Sequence, residues 1–133
     1  MKKIVLAIIV IALAAVAMPS CKKKKTDTEA GLIVEITPAN KSNNLNLLGP
    51  DFPLKIEITS VMPPSGVKIE ISVIKEGSSE PAFFTASNNS TAPQNNYTIT
   101  GTPSGVTCVV NITVTSLSMP TNKWVGTYRY SKK

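Results

Sequence analysis

The chain has 133 residues, ten prolines, seven glycines, two cysteines and no histidine, which is room for one small domain and excludes Ser-His-Asp and Cys-His catalysis outright. Its formal charge of +6 would point to a polyanion, but the excess sits near the two ends, at Lys2, Lys3, Lys22 to Lys25, Lys132 and Lys133. Between Gly31 and Ser131 six basic residues meet six acidic ones, so no positive field remains to hold nucleic acid.

Taken in order, the chain begins with Lys2 and Lys3, an uncharged apolar run from Ile4 to Met18, then Pro19-Ser20-Cys21 and four lysines. As a helix the 15 apolar residues would reach roughly 22 Å, short of the ~30 Å hydrocarbon core, so the run reads as a signal segment rather than a span. Ser20 before Cys21 resembles the lipobox of bacterial lipoproteins. That resemblance implies cleavage of residues 1–20, diacylglycerol on the Cys21 thiol and an acylated new N-terminus. It departs from the usual pattern at Met18 and Pro19. A cut after Ala15-Val16-Ala17 would also fit a signal peptidase and would leave Cys21 as a free thiol. A cysteine placed directly after a small residue and directly before a polar tether favours lipidation. Two or three acyl chains, at about 0.8 kcal/mol per buried CH₂, hold a protein on a bilayer almost permanently. The Lys-rich segment after Cys21 resembles that of Bacteroidota-type lipoproteins, which implies the cell envelope and an outer-membrane anchor, periplasmic or surface-exposed.

Residues 21–30 form the expected tether and 31–133 the domain. LIVEIT, Leu32 to Thr37, is apolar and β-branched and stops at Pro38; the Asn-rich stretch from Asn40 to Asn46 reads as a loop. Leu54 to Thr59 and Val67 to Val73 alternate strictly, with Leu54, Ile56, Ile58, Val67, Ile69, Ile71 and Val73 on the inward side, the period of half-buried strands. Weaker strands are predicted at Ala82 to Ala86 and Tyr97 to Thr100. Val106 to Leu117 is the longest candidate, and Trp124 to Tyr130 the last. Pro-Ser-Gly-Val occurs twice, at Pro64 to Val67 and Pro103 to Val106, as a turn in which glycine takes positive φ before a strand. Seven strands with no helical period after the signal predict an all-β sandwich. The arrangement resembles the immunoglobulin-like and fibronectin type III-like modules of bacterial surface lipoproteins, without the tryptophan and cysteine pair of antibody domains.

No cofactor or metal is expected, because the carboxylates are scattered and Cys108 lies on the inward side of its strand as a small hydrophobe. Glu57 and Glu70 point outward and read as solvated charges rather than a glycosidase pair. The one constellation suited to recognition is Trp124, Tyr128 and Tyr130, which share a strand face with Gly126 between them. Such a face either stacks on a glycan or protein ligand or covers the core. The expected function is a lipid-anchored, non-catalytic binding or adhesion module; the alternative is a structural or assembly subunit of an envelope complex.

Overall fold

In the computed structural model, which describes residues 28–133, the chain forms eight strands. The expected signal peptide, Cys21 and the four lysines after it lie outside the described residues. The strands are β1 (Val34–Thr37), β2 (Asn43–Leu47), β3 (Phe52–Ile58), β4 (Val67–Lys75), β5 (Phe84–Ser90), β6 (Gln94–Ile99), β7 (Thr107–Ser116) and β8 (Lys123–Lys132). They make two sheets, one ordered β1-β3-β6 and the other β2-β8-β7-β4-β5. All named pairs are antiparallel except β2 with β8.

Period-two alternation builds the layers. Ile36, Leu54, Ile56, Ile58 and Ile99 from the first sheet meet Ile69, Val73, Cys108, Val110, Ile112 and Val114 from the second in one buried cluster. These are mostly β-branched side chains, whose stiff χ1 suits a pleated surface. The intervening residues face water. Lys55 and Glu57 pair at 2.7 Å, and Lys68 and Glu70 at 2.8 Å, each two residues apart on the outer face of one strand. Exposed pairs of this kind contribute about 0 to 1 kcal/mol.

Three expectations need correcting. Asn40 to Asn46 is not all loop, because β2 begins within it at Asn43 and supplies the eighth strand. β2 is held by backbone rather than burial: Lys41 N–H donates to Thr127 O at 2.7 Å, Arg129 N–H to Ser42 O at 2.9 Å, and Asn46 N–H to the Ser131 hydroxyl at 2.9 Å. An edge strand held that way leaves no hydrophobic alternation to read. β5 is likewise displaced, running to Ser90 through Asn88 and Asn89 in register with β4. Val106 falls before β7 and is exposed, since Gly105 still belongs to the turn.

Both Pro-Ser-Gly-Val turns do place glycine at positive φ, +80° at Gly66 and +74° at Gly105. At Gly66 a Cβ would also stand 2.5 Å from the Ser90 carbonyl oxygen, so side chains are excluded there twice over.

Candidate functional site: a groove between the sheets

β1 leaves the first sheet at Thr37, opposite Lys55. The chain then passes through Pro38 and reappears as β2 on the other sheet, beside β8. Phe52, Pro53 and Leu54 consequently have β6 on one side and no strand on the other. That switch opens the sandwich. It also explains a proline inside a strand: Ile58 N–H donates to Pro93 on the β6 side and Thr59 N–H to Ile33 on the β1 side. Counting back by twos from Thr59, Pro53 nitrogen points at the vacant side, where a missing N–H breaks no ladder bond.

The opening is a groove of about 610 Å³, within the usual size of small-ligand sites. Phe52, Leu54, Tyr97, Tyr128 and Tyr130 supply its aromatic and aliphatic wall, Leu47 and Leu48 its lip, and Asn44, Asp51, Lys55 and Asn96 its polar groups. Leu48 is 82% exposed.

The three aromatic residues singled out in the sequence do share the inward face of β8, but not as an open platform. Tyr128 is 2% exposed and Tyr130 1%; they are core side chains that reach the surface only as groove wall. Phe52 and Tyr130 rings stand 4.9 Å apart between centroids, and the Tyr128 and Tyr130 rings 6.2 Å. Tyr130 and Thr102 hydroxyls share a buried hydrogen bond of 2.7 Å. Trp124, nearer the other end of β8, is half-buried against the core. Its indole lies over Gly126, where any Cβ would run into the ring. Phe83 and Phe84 are both half-buried and pack against the core.

Burial pushes the Tyr128 hydroxyl far up and Tyr130 up to about 12, with the Thr102 hydrogen bond and then Cys108 as lesser influences on Tyr130. Tyr97 is raised by burial too, against the pull of its 2.6 Å hydrogen bond to Asn88. At neutral pH these hydroxyls are neutral. Two of them are already engaged, Tyr97 with Asn88 and Tyr130 with Thr102. Burial likewise raises the Cys108 thiol, and Lys75 offsets this in part. The groove thus offers apolar area, ring edges and a few polar partners, which suits recognition of an amphipathic ligand.

Among the described residues no three His, Cys, Asp or Glu side chains cluster to hold a metal, and no helix is long and apolar enough to cross a membrane. Pro38, Leu47, Leu48 and Phe52 escaped the sequence reading. The available signal was the interruption of an Asn-rich stretch by Leu45, Leu47 and Leu48. No protein-family model matches the chain, and no curated protein matches it in sequence. Fold and site together define an all-β sandwich with an opening between its sheets.

Proposed function

We propose that the protein is a lipid-anchored binding module of the cell envelope, held through Cys21 and using the groove beside β3 to take a protein or glycan ligand. The groove's aromatic wall and exposed lip carry the reading. Its polar groups are few, which favours binding over turnover. The proposal includes an immunoglobulin-like topology: β8, β7 and β4 stand in the order of the last, penultimate and third strands of such domains, and the first strand is divided between the sheets.

The assembly-subunit alternative draws on β5, a seven-residue edge strand bonded on one side by β4; its polar side chains Asn88 and Asn89 weaken it as a pairing edge.

Screening the purified protein on glycan arrays and against envelope proteins tests the proposal. Leu48→Lys, at an exposed lip, is expected to weaken the bound ligand about tenfold or more, the scale of a contact worth over 1 kcal/mol. Val125→Lys, on the outer face of β8, should leave binding unchanged. Unaltered binding by Leu48→Lys, with loss in Val125→Lys, would move the site off the groove.

A further inference from the structure

The end of the sandwich opposite the groove is made by three loops, 59–66, 91–93 and 117–122, and none of them contains an Asp, Glu, Lys or Arg. Instead they expose apolar tips ringed by hydroxyls. Val61 is 75% exposed and Leu117 40%, and Ile33, just before β1, is 61%. Pro64 and Pro120 are exposed beside them, and Thr59, Ser60, Ser65 and Ser118 stand around them. The loops are fixed to one another: Leu117 N–H donates to Gly66 O at 3.0 Å, Ser65 N–H to the Ser118 hydroxyl at 3.1 Å, and Thr59 N–H to Ile33 O at 2.9 Å. The loop tips themselves carry no charge to strip of water at an interface, and the carboxylate at this end, Glu29, is already held by Asn122.

The chain also enters the fold at this end. Asn122 donates from Nδ2 to Glu29 Oε2 and to Ala30 O, each at 3.0 Å, and accepts from Leu32 N–H at 3.0 Å. The Asn122 hydrogen bond, with the Ser116 and Ser118 hydroxyls close by, holds the Glu29 carboxyl below its ordinary value. It therefore stays charged and bonded at neutral pH, and the clamp loosens only as pH falls through that lowered value. The seven residue steps from Cys21 to Thr28 span at most about 25 Å. Four of the intervening residues are lysines, which attract anionic headgroups at about 1 kcal/mol each near the surface.

We propose that this loop end seats in the interface of an anionic phospholipid bilayer, with Val61, Ile33 and Leu117 at the headgroup-proximal part of the acyl chains and the surrounding hydroxyls at headgroup depth. The inference rests on the Cys21 anchor. It fixes the domain upright, and the groove then opens away from the membrane, about 20 Å further along β8 at some 3.3 Å per residue.

The test uses the mature lipidated protein in phosphatidylethanolamine and phosphatidylglycerol vesicles carrying nitroxide-labelled acyl chains. A polarity-sensitive fluorophore is placed on Val61→Cys or Leu117→Cys and, as the opposite-end control, on Leu48→Cys; Cys108 is buried and stays unlabelled. Loss of most of the emission at both loop-end labels, with a blue shift absent from the Leu48→Cys label, is the expected result. Vesicle flotation with equal, unquenched emission at all labels would overturn the inference and leave the anchor standing. Failure to float would overturn the anchor and this inference together. Shielding of the loop-end labels in native membranes but not in pure lipid would replace the bilayer with a protein partner.

Discussion

Trp124 and Gly126 act as one unit, since the indole occupies the space that any side chain at Gly126 would need. Gly126→Ala must push the ring off the core or bend β8, and overpacking of that kind costs about 1 to 3 kcal/mol. Trp124→Ala should cost about 2 kcal/mol through lost burial, lowering the melting temperature by on the order of 10 °C for a domain of this size. A thermal shift under about 1 °C for Trp124→Ala would mean that the indole adds nothing to the core and would return it to the list of contact residues. The tyrosines make a second residue-scale forecast. All three tyrosines of the chain, Tyr97, Tyr128 and Tyr130, are raised above the ordinary value of 10.0. Because the folded values exceed the unfolded one, their contribution to stability is whole below pH 10 and is lost as pH climbs toward about 12, the Tyr130 value. An alkaline titration followed by tyrosinate absorbance should therefore show Tyr128 and Tyr130 ionising only well above the ordinary value, together with unfolding. Ordinary titration of all three tyrosines in the folded protein would contradict the burial described.

At the scale of elements, legibility in the sequence followed burial. β3, β4 and β7 have one face in the core and one in water, so apolar and polar residues alternate along them and their positions could be read within a residue or two. β2, β5 and β6 were blurred or missed because Asn43, Asn44, Asn88, Asn89, Asn95 and Asn96 are edge residues, chosen by backbone pairing and exposure rather than by packing. The same difference explains the site. Trp124, Tyr128 and Tyr130 were visible as a shared face, but a strand has two faces, and only the position of the opposite sheet decides which is inside. The groove was not legible, because it is created where β1 changes to β2 and leaves Phe52 to Leu54 without a second neighbour. Local periodicity carries no trace of which sheet a strand will join. Pro53 was the nearest local sign, a residue that a fully paired strand would not accept.

For the molecule as a whole, the two ends differ in chemistry. One end carries the entry of the chain, the clamp from Glu29 to Asn122 and loops without charge; the other carries the groove, with Asp51 and Lys132 near it. A domain neutral from Gly31 to Ser131 is suited to standing at an anionic surface without being pulled flat onto it. Placement at the membrane depends on the anchor being covalent lipid on Cys21, separate from a core whose first buried residue, among the described residues, is Leu32. The direct measurement is membrane fractionation and thermal unfolding of Cys21→Ser beside the unaltered protein. The expected outcome is loss of Cys21→Ser from the membrane as a lipidated, processed species, with the melting transition of the domain unchanged. A Cys21→Ser protein that is still processed and still extracted from membranes only by detergent would contradict it.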